Sequence, residues 1–126
     1  MMKILSILLL LALKTSGQVF VNGANINEIK EIRIIELVVL EDFVASPNIT
    51  ASIDYGQERR ELNDKITNAS GEKIKFGSIV GAVNYLELRG WEYINNSIIQ
   101  KGRGVLYRYY FRRKSAADSP KNIATE

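Results

Sequence analysis

The sequence predicts an α+β domain: an antiparallel sheet of about four strands with one helix packed on one face, in the order β-β-(small hairpin)-α-β-β. Three observations carry this. Ile79, Ala82, Val83 and Leu86 recur at i, i+3, i+4 and i+7, the stripe of a helix with one buried face. Val105, Tyr107, Tyr109 and Phe111 alternate with Leu106, Arg108, Tyr110 and Arg112, the period of a strand. Between them, Gly90 and Gly102-Arg103-Gly104 supply the stop and the turn that join a helix to a hairpin.

In chain order, residues 1–17 read as a secretory signal peptide. Lys3 is its charged start, residues 4–13 are an apolar run, and Thr15-Ser16-Gly17 are small, so cleavage would leave a mature start near Gln18. The apolar run is too short for a bilayer, which takes about 20 residues. No membrane span is therefore expected once the leader is removed. Residues 18–31 read as a loose N-terminal arm, in which Asn25 and Glu28 resemble a capping pair.

A single domain is expected over residues 32–114. Residues 32–40 are rich in β-branched side chains and form the first strand, central or bulged because its apolar residues fall on both faces. Ser46-Pro47-Asn48 is a turn signal. Ile49, Ala51, Ile53 and Tyr55 alternate with Thr50, Ser52 and Asp54 as a half-buried second strand, stopped by Gly56. Residues 57–64 form a charged, solvated loop. Ile66 and Ile74-Lys75-Phe76 flank Asn68-Ala69-Ser70-Gly71, which predicts a small hairpin leading into the helix.

Ser78 is the helix N-cap, its hydroxyl free to accept an N–H of the first turn. Gly81 costs about 1 kcal/mol relative to alanine inside a helix, which a close backbone approach to the sheet would explain. Trp91 opens the next strand, with Trp91, Tyr93 and Asn95 on one face and Glu92, Ile94 and Asn96 on the other. In the last strand the aromatic face belongs under the helix and the arginine face in solvent. Residues 115–126 are polar and read as a disordered tail.

The 126 residues suffice for one domain and not two. Of the 17 Lys and Arg, two are Lys3 and Lys14 in or beside the leader; without them 15 basic residues face 14 acidic ones, a net charge of +1. So small a charge gives no general attraction to nucleic acid or to an acidic membrane. The chain has no Cys and no His. That excludes disulfides, lipoprotein attachment, thiolate or imidazole zinc sites and histidine general-base chemistry.

Four runs taken together resemble a known group. Ile53-Asp54-Tyr55-Gly56-Gln57, Gly71-Glu72-Lys73-Ile74-Lys75-Phe76, Ala82-Val83-Asn84-Tyr85-Leu86 and Gly90-Trp91-Glu92-Tyr93 look like small secreted proteins of Bacteroides-type bacteria. Gly-Trp-Glu after a helix, with Tyr109, Phe111 and Arg113 in a later strand, is also similar to a wider bacterial domain of unknown function. The resemblance covers residues 33–114. It implies export and this fold, and it carries over no catalytic residue.

Candidate chemistry is sparse. Asp54, Glu58, Glu61 and Asp64 cluster in sequence, but Arg59, Arg60 and Lys65 interleave and nothing fixes two carboxyls across a glycosidic bond. No calcium-loop spacing, no Gly-x-Ser-x-Gly and no nucleotide-loop context occurs. An anion at Ser78 competes with its role as a cap. Arg103, Arg108, Arg112, Arg113 and Lys114 interleave with tyrosines, the composition of a nucleic-acid surface. Alternation leaves only Tyr110 on the arginine face, however, and charge on an edge strand also guards against aggregation.

The expected function is an exported, non-enzymatic binding module of the cell envelope, periplasmic or secreted, acting on a protein or envelope component through an exposed sheet face or edge. Arg108, Tyr110, Arg112, Tyr85 and Leu88 are the candidate partner-binding residues. No catalytic residue, cofactor or metal ligand is expected, and nucleic acid is not an expected partner. The alternatives are a small carboxylate-dependent hydrolase and a nucleic-acid binder on the basic C-terminal strand.

Overall fold

The computed structural model describes residues 17–42, 48–58, 63–102 and 104–115. The expected leader (apart from Gly17), part of the 46–48 turn signal, Glu61, Arg103 and the tail beyond Ser115 lie outside them. In chain order the elements are β1 (Phe20–Val21), β2 (Ala24–Asn25), a 3-10 turn (Ile26–Glu28), β3 (Ile34–Asp42), β4 (Ser52–Asp54), β5 (Ile66–Thr67), α1 (Ile79–Glu87), β6 (Trp91–Lys101) and β7 (Gly104–Arg113). The fold is α+β, with two antiparallel sheets ordered β4-β3-β7-β6 and β2-β1-β5.

The helix forms where its stripe predicts. Ser78 Oγ accepts the Gly81 N–H at 3.0 Å, and Gly90 closes the C-terminal turn at φ +95°. Ala82 and Leu86 are fully buried, and Ile79 and Val83 pack beside them. The space around Gly81 gives a different answer from the one its sequence suggested. A Cβ there would meet only the Ser78 Oγ, at 3.5 Å, so no sheet backbone approaches it.

The four-stranded sheet is built from the four strands anticipated. Ile35, Leu37 and Val39 stand opposite Phe111, Tyr109 and Tyr107, and Leu37 also faces Ile53 across β4. These residues share one core with Ala82, Leu86 and Trp91, so the aromatic face of β7 lies on the helix side. The paired part of β4 is shorter than expected because the chain changes partners. Ile49 pairs with Phe76 through N–H···O bonds of 2.8 and 2.7 Å, and Ala51 accepts the Ile66 N–H at 2.9 Å. This segment thereby links the two sheets.

Strict alternation fails in β6. Its register against β7 shifts between Tyr93 and Asn95, a bulge that inserts one extra residue. Beyond it Asn96 stands opposite Tyr109, on the face of Trp91 and Tyr93, while Asn95 stands opposite Tyr110. The faces expected for Asn95 and Asn96 are thus exchanged.

Residues 18–31 are not a loose arm. Asn22 and Gly23, at φ 51° and 83°, close a hairpin of β1 and β2, and β1 pairs with β5. Val19, Val21 and Ile26 are buried in the core. The predicted small hairpin exists at Asn68–Glu72 N–H···O 2.9 Å and Ile74–Ile66 N–H···O 3.0 Å, and β1 extends it. Among the described residues no helix is long and apolar enough to cross a membrane.

Candidate functional site

Two surfaces collect the candidate residues. Arg108, Tyr110 and Arg112 lie on the sheet face turned away from the helix, because β7 alternates. Each arginine faces a carboxylate. Arg112 grips Glu92 through Nε and Nη2 at 3.0 and 3.3 Å, and Arg108 Nε lies 3.7 Å from Glu36 Oε1. That Nε is buried and makes no hydrogen bond. Tyr110 is half-buried between Glu36 and Asn95 in the register. Arg113 turns to the opposite face, and Lys114 is bound to Glu87 at 3.1 Å. The described basic residues of this strand are therefore taken up by local partners instead of forming a stripe for phosphates.

This face runs into the β6 edge. Leu106 is buried at 5% exposure between Leu40 and Ile99, which stand opposite it and are half-exposed. Among the described residues no strand pairs with the far side of β6. Two of its N–H groups are capped by side chains: Glu87 Oε1 accepts from Tyr93 at 2.8 Å, and Asn95 Oδ1 from Asn96 at 2.8 Å. Among the described residues no such cap occurs from 97 to 100. Residues 93–100 carry no charge, and Ile98 is 57% and Ile99 48% exposed.

Tyr85 and Leu88 occupy a different place, so the structure does not bring all five candidates together. Tyr85 packs edge-on against Phe76, with ring centroids 5.3 Å apart. Leu88 is 78% exposed. Both line a cleft of about 450 Å³ between the end of α1, β1 and the turn after β5, together with Gln18, Phe20, Ile74 and Arg89. The Arg89 guanidinium lies 3.6 Å from the centre of the Tyr85 ring and donates from Nη1 to the Tyr85 carbonyl at 3.1 Å.

Carboxylates at the charged loop serve as braces. Asp64 accepts from Gln57 Nε2 at 2.7 Å and from Asn22 Nδ2 at 2.9 Å, and Asp54 accepts the Gly56 N–H at 3.0 Å. Among the described residues no group of three acidic side chains could hold a metal ion. Beside the loop, burial and then the Lys73 charge hold the Lys65 ammonium below its ordinary pKa.

Two of the cleft's lining residues, Gly17 and Arg89, are tied together by Asn27, which the sequence does not mark. Asn27 Oδ1 accepts the Trp91 indole N–H at 2.9 Å, while Nδ2 donates to the carbonyls of Gly17 and of Arg89, the latter at 2.8 Å. Arg113 closes the same loop, donating to the carbonyls of Asn27, Ile29 and Ile32 at 2.9–3.0 Å with its guanidinium 4.7 Å from the Trp91 ring centre. Burial, and secondarily the charge of Arg33, lower its pKa.

Comparison with protein-family models, with curated proteins and with solved structures found no match. The likeness to small secreted bacterial proteins therefore stays an expectation from the residues that carry it.

Proposed function

We propose that this chain is an exported, non-enzymatic interaction module of the cell envelope whose docking element is the open half of β6. An extended, uncharged segment of a protein partner would add to the sheet along residues 97–100, short of Lys101. The observation that carries this reading is the edge itself. Among the described residues its N–H groups from 97 to 100 lack caps, no charge falls between 93 and 100, and Ile98 and Ile99 offer exposed apolar contacts on both faces. Natural sheets generally blunt such edges with lysine, proline or a covering loop. Strand addition draws affinity from main-chain bonds and selectivity from alternate side chains. The neighbouring Leu106 rung and the Arg108, Tyr110 and Arg112 face would contact what flanks the added strand.

A photo-crosslinking residue at Ile98, with one at the exposed Val80 of α1 as control, tests the reading in the producing cell. Mass spectrometry of the adducts is expected to find one recurring uncharged segment of one envelope protein at Ile98 and not at Val80. The adduct should disappear in Ile99→Lys, and in the double variant Arg108→Glu/Arg112→Glu. Adducts scattered over many proteins, or equal at both positions, would sink the strand-addition reading.

A further inference from the structure

We propose that the cleft at the end of α1 binds a small amphipathic carboxylate, with the anionic head at Arg89 and the apolar body along Phe20, Ile74, Tyr85 and Leu88. The inference is independent of strand addition, since the cleft and the β6 edge share no residue.

The fixed guanidinium of Arg89 at the cleft points to an anion. Arg108, Arg112 and Lys114 each face a carboxylate within 4 Å. Arg89 faces none among the described residues. It is nevertheless held in place, by the Tyr85 ring beneath it and by the Tyr85 carbonyl that accepts from Nη1. Its backbone is held too, because Asn27 Nδ2 donates to its carbonyl. Among the described residues nothing accepts from Nε or Nη2, so a guanidinium edge is presented in a fixed position. That is the geometry in which an arginine takes a carboxylate through paired hydrogen bonds.

The surroundings define the rest of the ligand. Leu88 directly precedes Arg89 and is 78% exposed, an apolar side chain that the core does not use. Phe20, Ile74 and Tyr85 are half-buried and continue the apolar wall. About 450 Å³ falls within the range of small-molecule sites, which are mostly apolar with a few placed polar groups. A bare inorganic anion would leave this wall unused, and a neutral hydrocarbon would leave Arg89 unmatched. A monocarboxylate on an aliphatic or aromatic body satisfies both.

Octanoate is the probe and 1-octanol the uncharged control, each titrated into the isotope-labelled protein and followed by amide NMR. Octanoate is expected to shift amides within residues 17–20, 68–74 and 85–90. Loss of a charge-assisted contact should weaken binding about tenfold or more, both for 1-octanol and for octanoate with Arg89→Gln. Leu88→Glu tests the same point at a solvent-exposed position that folding does not depend on, and should abolish octanoate binding by repulsion. Shifts that map elsewhere, equal affinity for octanoate and 1-octanol, or unchanged octanoate affinity in Leu88→Glu would overturn the proposal.

Discussion

Asn27 is the side chain on which three separate parts of the chain meet. Its amide is matched to them atom by atom, with an acceptor toward the Trp91 N–H and donors toward the Gly17 and Arg89 carbonyls. Trp91 is fully buried, so its N–H has no water to turn to. Asn27→Ala should destabilise the protein by about 2 kcal/mol, the cost of leaving buried polar groups unpaired, as read from urea unfolding. Asn27→Asp should be no better, because a carboxylate keeps the Trp91 acceptor and turns its other oxygen on two carbonyls. Equal stability of Asn27→Ala and the parent would show that these bonds are dispensable. The sequence does not mark Asn27, since its importance lies in partners 10, 62 and 64 residues away. Arg113 is similarly illegible: alternation assigns its face correctly but says nothing of the carbonyls it gathers. By contrast, Ser78 and Gly90 are legible because a cap acts within its own turn.

The elements show the same division between local and distant causes. The α1 stripe and the alternation of β7 are repeated signals, and both elements form as read. The first strand and the two strands after the helix are found within a few residues of where the pattern puts them. The β6 bulge has no comparable signature: Asn95-Asn96 disfavour a regular strand, but they do not by themselves specify an inserted residue. The β1–β2 hairpin was legible in principle: Val19-Phe20-Val21 is followed by Asn22-Gly23, a strong two-residue hairpin signal. Of the candidate site, the arginine face was legible from alternation. The Arg89 cleft was not, since it depends on β1 reaching the helix end. The open space at Gly81 gives a direct prediction for α1. Gly81→Ala meets only the Ser78 Oγ at ordinary contact distance. It should therefore stabilise the protein by about 0.5–1 kcal/mol through helix propensity, seen as a higher midpoint of thermal unfolding. A lower midpoint would mean that the glycine serves something outside the described residues.

For the molecule as a whole, Lys65 makes stability depend on pH. Lys65 titrates below its free value of 10.5 when folded, through burial and then the Lys73 charge. Between the folded and the free value the unfolded chain binds the proton more readily, so stability rises with pH across that window. Below it the full penalty for a partly buried cation persists. Lys65→Gln should accordingly raise the urea midpoint at pH 7, and its advantage over the parent should shrink as pH approaches 10.5. A constant advantage would place the effect in packing instead of charge. The sheet order also governs when structure can exist at all. β7 is the last described element, yet it pairs with both β3 and β6, whose edges never touch each other. A ribosome that has released everything up to residue 103 has released two halves of a sheet with nothing to join them. Such a nascent chain can pair β3 with β4, form the β2-β1-β5 sheet and hold the helix, but β6 has no partner until β7 arrives to complete the four-stranded sheet in a single event.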